Sequence, residues 1–185
     1  MLTGEKIIEE YEAGRLYISE FDTANVQPNS YELHWGDTYK EVLPNRVWFE
    51  NGEIIQAVDM RQSQRTTQTM QIPEDGLLLM PGRIYLIPTK EAISSEYYVP
   101  QIVGRSSVGR MGISISLHAA LGDLGYLGNW TLQVTVVRPT IIYPNLRVCH
   151  VYFEEVHGKI EELYHGRYQN SFGAVESRFI ESEEK

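Results

Sequence analysis

The chain has 185 residues, of which 42% are hydrophobic and 22% are charged, a composition that favours one globular domain with a buried core. Its formal net charge is −9 and its isoelectric point is about 5.0. Because duplex binding requires a basic face that neutralises phosphates, the acidic balance argues against nucleic acid as a partner. A small phosphorylated ligand is still allowed wherever basic residues gather locally.

The sequence contains no apolar run of about 20 residues that would span a bilayer. Its start, MLTGEKIIEEYEAG, is acidic and does not resemble a signal peptide. The single cysteine, Cys149, lies in the apolar run RVCHVYF. These features predict a cytoplasmic protein without membrane contact, in which the thiol is buried and structural.

The first predicted element is a short helix over residues 3–13. Its apolar side chains Ile7, Ile8 and Tyr11 share one face, and Gly14 ends the pattern. We expect one domain over residues 1–185, with a mobile, charged tail from about residue 176.

Beyond the helix, short apolar segments alternate with turn residues, such as Pro81-Gly82 and the stretch 139–145. The polar segment 61–69 reads as an exposed loop or strand extension. The predicted strands are Glu53–Val58, Leu77–Met80, Arg83–Pro88, Tyr98–Val103, Met111–Leu117, Trp130–Val137 and Arg147–Phe153. Regular short strands without long helices between them predict a mainly β protein, either an antiparallel barrel or a jelly roll.

Residues 104–112, GRSSVGRMG, combine two arginines and two serines with three glycines. Glycines allow close backbone approach, serines offer hydroxyl and N–H donors, and the forked guanidinium groups of Arg105 and Arg110 suit phosphoryl oxygens. No Gly-Lys-Ser/Thr sequence follows, so the segment is not a Walker loop. It is either a small-anion site or a glycine-rich turn with two surface arginines.

Five segments together resemble the dCTP deaminase family, which belongs to the same superfamily as the trimeric dUTPases. They follow the family order along nearly the whole chain: 27–36 (QPNSYELHWG), 79–91 (LMPGRIYLIPTKE), 104–112 (GRSSVGRMG), 122–134 (GDLGYLGNWTLQV) and 167–178 (RYQNSFGAVESR). The resemblance implies a distorted antiparallel β-barrel or jelly-roll subunit of the dUTPase type with a short N-terminal helix. It also implies a homotrimer with sites for a deoxypyrimidine nucleoside triphosphate between subunits.

The resemblance also implies roles for individual residues. The triphosphate would contact Arg105, Ser106, Ser107, Arg110, Tyr164 and Arg167. The base and sugar would contact Ala119, Asp123, Tyr126, Thr131, Leu132 and Gln133. Asp123 would bind the 3'-hydroxyl and accept a proton from the attacking water, although an aspartate in such a turn also stabilises its own loop. The implied Mg²⁺ would be held by the phosphates, without direct protein ligands.

Gln133 stands where the deaminases have the glutamate that acts as general acid and base. An amide hydrogen-bonds a base but does not carry a proton near neutral pH, although Gln133 can also be a plain strand residue that faces the pocket. We therefore expect hydrolysis of dUTP to dUMP and pyrophosphate through Asp123 as the main activity. The alternatives are a dCTP deaminase with a different proton shuttle, such as His118, and a non-catalytic nucleotide-binding or regulatory protein. Further departures from the family pattern are at Leu121, Gly122 and Ser171.

Overall fold

The computed structural model describes residues 1–116 and 120–180. It confirms the mainly β prediction, with one short N-terminal helix and antiparallel sheets. The helices are α1 (Gly4–Glu12) and α2 (Ser106–Arg110), with a 3₁₀ turn at Thr23–Asn25. The strands are β1 (Tyr17–Ile18), β2 (Val26–Gln27), β3 (Ser30–His34), β4 (Thr38–Leu43), β5 (Arg46–Glu50), β6 (Glu53–Ala57), β7 (Arg65–Thr66), β8 (Met70–Gln71), β9 (Leu77–Leu79), β10 (Tyr85–Ser94), β11 (Tyr98–Gly104), β12 (Ile113–Ser116), β13 (Gly128–Val136), β14 (Thr140–Ile142) and β15 (Arg147–Glu155).

Helix α1 forms as predicted because its ends and its inner face are well defined. The Thr3 hydroxyl accepts a hydrogen bond from the Lys6 N–H at 3.3 Å, which caps the first turn. Ile7 is fully buried against the sheets, and Gly14, at φ +70°, allows the chain to turn away.

Two antiparallel sheets enclose the core in a jelly-roll-like arrangement. The larger has the strand order β12-β13-β10-β4-β7, with β1 paired to β10 and β8 to β4, and the smaller has the order β11-β15-β3-β2. Fully buried side chains from both sheets, such as Ile87, Leu132, Val151 and Phe153, pack between them. Cys149 is also fully buried, which confirms the predicted structural thiol, and burial raises its pKa.

Strand β13 alternates strictly between the two faces of its sheet. Its even-numbered residues are buried, whereas Asn129, Thr131, Gln133 and Thr135 are partly exposed on the opposite face. This alternation places a row of polar side chains outside the core, along the strand on which the sequence predicts the base-binding residues.

A bulge in β10 fixes the position of β13 beside it. The pairing between the two strands shifts between Pro88 and Ala92. Within the bulge, the buried Thr89 hydroxyl accepts a hydrogen bond from the Trp130 N–H at 2.9 Å and donates to the Glu91 carbonyl at 2.7 Å. The Thr89 hydroxyl therefore pairs two backbone groups at the bulge, where the register between the strands changes.

Some local predictions were wrong because tertiary pairing overrides sequence pattern. Residues 139–145 are not a continuous turn, since β14 lies within them and pairs with β9. The segment 104–112 contains the short helix α2, which the sequence pattern did not indicate.

The β5–β6 hairpin is separate from the other sheets and exposes large apolar side chains, including Phe49 and Ile54.

Within the described ranges, no helix is long and apolar enough to cross a membrane.

Candidate functional site

A cavity of about 650 Å³ lies over the partly exposed face of β13. It brings together five residues that the sequence assigns to base, sugar, phosphate or catalytic roles. These residues are Asp123, Tyr126, Thr131, Gln133 and Tyr164. The cavity is therefore the candidate active site, and its volume suits a ligand of nucleotide size.

The floor of the cavity is formed by β13 and its neighbour β10. Leu86 lies opposite Gln133 in the antiparallel register, so an apolar side chain flanks the amide. The Gln133 Nε2 group donates to the Thr131 carbonyl at 3.5 Å, the weak limit of a hydrogen bond. The amide is therefore weakly held and is able to turn towards a ligand.

The loop that carries Asp123 is fastened on both sides of this residue. The Gly122 N–H donates to the Pro100 carbonyl at 2.8 Å, and the Gly125 N–H donates to the Ser95 carbonyl at 2.7 Å. The Asp123 side chain is exposed and lines the cavity. The fold thus presents an accessible carboxylate from a fixed backbone.

Three aromatic rings form one wall of the cavity. The ring of Tyr126 meets Trp130 and Tyr164 edge to face, with centroids 6.2 Å and 5.9 Å apart. The Tyr126 hydroxyl donates to the Asn129 carbonyl at 2.8 Å. Burial, with a smaller contribution from Tyr164, raises the pKa of Tyr126 to about 12, so this phenol is a neutral group at physiological pH.

The C-terminal segment, residues 164–178, contributes side chains to the lining of the cavity and is hydrogen-bonded to β13. The Val175 N–H donates to the Thr131 hydroxyl at 3.0 Å, and the Gly173 N–H donates to the Asn129 side-chain carbonyl at 3.0 Å. These bonds use the same polar row of β13 that lines the cavity. The segment is therefore part of the site.

Gln169 connects this segment to the Asp123 loop, a role that the sequence pattern did not predict. Its side-chain carbonyl accepts from the Leu127 N–H at 2.9 Å, and its Nε2 donates to the Gly125 carbonyl at 2.7 Å. Both partners are backbone groups more than 40 residues away, so no local pattern reveals the role.

A partly exposed ion pair between Lys40 and Glu176 lies at the rim of the cavity, and the sequence pattern did not predict it. Lys40 Nζ lies 2.7 Å from Glu176 Oε2, and this hydrogen bond lowers the pKa of Glu176. The Ser177 N–H donates to the Gln64 side chain at 2.7 Å, and the Arg178 N–H to the Tyr168 hydroxyl at 2.9 Å. These contacts fasten residues 176–178, where we expected the mobile tail to begin; residues 181–185 lie outside the described ranges.

The predicted triphosphate residues of α2 do not line this cavity. Arg105 precedes α2, while Ser106, Ser107 and Arg110 are exposed on it and Val108 anchors it in the core. Within a single chain, these residues therefore lie apart from the predicted base site.

The remaining predicted residues have different positions. Arg167 donates to the Arg178 carbonyl at 2.6 Å and lies outside the lining of the cavity. The Leu132 side chain is fully buried because even-numbered positions of β13 face the core, so only its backbone is left for the predicted base contact, which stays a prediction. Ala119 and His118 lie outside the described residues.

Among the described residues, no group of three or more His, Cys, Asp or Glu side chains forms a cluster that would hold a metal ion. The Mg²⁺ expected on the phosphates stays a prediction.

Comparison with known proteins identifies relatives over the full length of the chain. "dCTP deaminase, dUMP-forming" from Clostridium beijerinckii is 37% identical over 185 residues, which cover 100% of this chain and 99% of the relative. The protein of the same name from Cytophaga hutchinsonii is 35% identical over 170 residues, covering 92% and 91%.

A solved structure supports the fold. The 2'-deoxycytidine 5'-triphosphate deaminase from Agrobacterium tumefaciens superposes with a TM-score of 0.60 at 21% identity, covering 84% of this chain. The chain spans about half of that structure's length, with 48% covered.

The relatives overturn the expectation that dUTP hydrolysis is the main activity, because their named reaction begins with dCTP. A reaction from dCTP to dUMP includes both loss of ammonia and cleavage of the phosphate chain. A carboxylate suited to phosphate cleavage, such as Asp123, therefore does not distinguish a dUTPase from such a deaminase. The model of the dCTP deaminase-like family matches residues 1–156. The chain belongs to the dCTP deaminase-like family.

Proposed function

We propose that the protein is an enzyme of deoxynucleotide metabolism that converts dCTP to dUMP. In this reaction one water replaces the 4-amino group of cytosine and releases ammonia. A second water cleaves the bond between the α-phosphorus and the bridging oxygen and releases pyrophosphate. The observation that carries the proposal is the cavity over β13, which unites Asp123, Tyr126 and Gln133 in a member of this family.

The base is proposed to lie against the floor of the cavity. There the Gln133 amide supplies both a donor and an acceptor, which suits the edge of a pyrimidine. Leu86 and the ring of Tyr126 supply apolar contact beside it. Since the amide does not carry a proton, Gln133 binds the base, and we expect ammonia release to be the slow step.

Asp123 is proposed to act at the sugar and the phosphate chain. Its exposed carboxylate accepts hydrogen bonds from the 3'-hydroxyl and from the water that attacks the α-phosphorus. The anchored loop keeps this carboxylate in place while the phosphate chain reacts. The nucleotide binds as its Mg²⁺ complex, in which the ion neutralises part of the phosphate charge.

The position of α2 supports a homotrimer with shared sites. Arg105 and Arg110 lie outside the cavity of their own chain, so a neighbouring chain would supply them to the phosphates. We expect light scattering at micromolar concentration to give three times the 21.3 kDa mass of one chain. A monomer under these conditions would contradict the shared site.

The activity is tested by incubating the purified protein with dCTP and Mg²⁺ while ammonia, dUMP and pyrophosphate are measured together. We expect equal amounts of all three products. Asp123→Asn should abolish dUMP formation and preserve dCTP binding, because the amide keeps the shape but is not a base. Asp75→Asn is the matched control, since Asp75 is an exposed turn aspartate that does not line the cavity. Ammonia without pyrophosphate would refute the formation of dUMP.

Gln133 favours a second candidate function, namely nucleotide binding without deamination. In this case calorimetry would detect dCTP binding, while prolonged incubation with dCTP would release no ammonia. The presence or absence of ammonia therefore separates the two candidates.

A further inference from the structure

A buried carboxylate holds two arginines side by side at the start of α2. Glu32 of β3 is 3% exposed, and each of its oxygens binds a separate guanidinium group. Arg105 Nη2 lies 3.1 Å from Oε1, and Arg147 Nη1 lies 2.8 Å from Oε2. Arg105 Nη1 also donates to the Arg147 carbonyl at 3.1 Å, so the two arginines are joined directly as well.

This cluster carries one unit of positive charge in a chain whose formal net charge is −9. Two guanidinium groups meet a single carboxylate, and the cross-strand neighbour of Glu32, His150, adds no charge at neutral pH. Burial is the largest effect and lowers the pKa of His150; Glu32 opposes it in part, and the smaller effect of Arg105 lowers the pKa again. The excess positive charge is therefore local and permanent.

The two guanidinium groups are accessible despite their buried partner. The side chain of Arg147 is 49% exposed and that of Arg105 is 29% exposed. In the part of the chain that the structure describes, the side-chain hydrogen bond and ion pair of Arg147 involve Nη1, which leaves Nε and Nη2 for a ligand. A pair of partly exposed forks of this kind suits the oxygens of a polyphosphate.

The cluster is built on the rigid smaller sheet. Glu32 lies on β3, Arg147 begins the adjacent strand β15, and Arg105 follows β11, which also pairs with β15. The Arg105 N–H donates to the Val148 carbonyl at 3.0 Å and extends this ladder to the first residue before α2. Three neighbouring strands therefore fix the relative positions of all three charged groups.

We propose that Arg147 is a second phosphate-binding residue beside Arg105, and that Glu32 is a positioning residue that holds both guanidinium groups ready for a triphosphate. The inference rests on the proposed function for the identity of the ligand as a nucleoside triphosphate. Glu32 fixes both guanidinium groups before the ligand arrives, so less conformational entropy is lost on binding. For this reason we expect the negatively charged Glu32 to favour the binding of an anion.

The test measures the binding of inorganic tripolyphosphate, dCTP and dCMP by titration calorimetry. Arg147→Gln should weaken the binding of tripolyphosphate and dCTP by about 10–150-fold, the range for a charge-assisted hydrogen bond. The binding of dCMP, which has a single phosphate, should change much less. Arg147→Lys should give an intermediate loss, because lysine keeps the charge and lacks the fork.

The direction in which Glu32→Gln changes anion binding distinguishes a positioning role from a purely electrostatic one. If Glu32 acted only as a negative charge, its removal would strengthen anion binding. Positioning predicts the opposite, namely binding of tripolyphosphate weakened about 10-fold, because the two arginines then repel each other and lose their fixed orientation. Glu10→Gln is the matched control, since Glu10 is also buried and bound to two cations, Lys6 and Arg15, at a different place in the fold. It should leave the binding of tripolyphosphate unchanged.

Each outcome decides the inference. Unchanged tripolyphosphate binding in Arg147→Gln removes Arg147 from the phosphate site, and stronger binding in Glu32→Gln removes the positioning role. If Glu32→Gln fails to fold, the two Arg147 variants still decide the role of that arginine. Wild-type protein that binds neither tripolyphosphate nor dCTP overturns the inference, whereas binding of tripolyphosphate without conversion of dCTP refutes only the proposed function.

Discussion

Replacing Gln133 with glutamate should accelerate ammonia release from dCTP by about 10²-fold or more, since general acid–base catalysis contributes about 10²–10⁴-fold. The substitution is nearly isosteric, and the hydrogen bond from the amide to the Thr131 carbonyl is weak, at 3.5 Å, so the fold should accept it. Leu86, directly opposite in the register, limits hydration of the new carboxylate. Because desolvation raises the pKa of a carboxyl group, the position favours reversible protonation closer to neutral pH.

The assay compares ammonia release by wild type and Gln133→Glu at saturating dCTP and several pH values. Thr135→Glu is the matched control, because Thr135 also lines the cavity and lies two residues further along the same face of β13. That carboxylate is about 6.6–6.8 Å further along the strand and should produce no gain. Ammonia release by Gln133→Glu that is no faster than in wild type would refute the idea that a carboxylate at position 133 transfers protons to the base.

Gly122→Ala should destabilise the protein by about 1–3 kcal/mol and slow dUMP formation, because a Cβ there would lie 2.6 Å from the Trp130 ring. Urea denaturation measures the loss, with Gly109→Ala as control, since a Cβ at Gly109 meets no atom within 4 Å. Hydrogen bonding to Arg15 lowers the pKa of Glu10 from 4.5 to about 2, so its stabilising effect is complete above about pH 4.5 and is lost as the pH falls through 2. The difference in unfolding free energy between wild type and Glu10→Gln should shrink over this interval, and a constant difference would contradict the assignment.

The elements that the sequence predicted are those whose pattern is local. Helix α1 follows from the spacing of Ile7 and Tyr11, and β13 follows from alternation around Leu132. Strand β3 was missed because Glu32 interrupts its apolar pattern while being buried. Its compensating cations are supplied by residues more than 70 positions away, and no window along the chain contains both charges.

In the candidate site, too, the sequence predicted the residues that lie in local motifs and not those that depend on distant contacts. The Asp123 turn and the polar face of β13 are sequence motifs, and the structure brings both to one cavity. Gln169, by contrast, acts through two backbone groups of the Asp123 loop, and the backbone offers the same donors and acceptors at almost every residue. Only the path of the C-terminal segment selects these two partners.

The mistaken expectation of dUTP hydrolysis has a chemical cause in Gln133. A reaction from dCTP to dUMP requires a base for the water at the α-phosphorus and a proton carrier at the pyrimidine, and these groups act at different parts of the substrate. In the proposed function Asp123 is the carboxylate for the first task, and Gln133 is an amide at the position proposed for the second. Under this proposal, an amide at residue 133 lowers the rate of one step without changing which nucleotide fits the cavity. We therefore expect the shape and hydrogen bonding of the cavity to set substrate identity, and residue 133 to set how fast the bound base reacts.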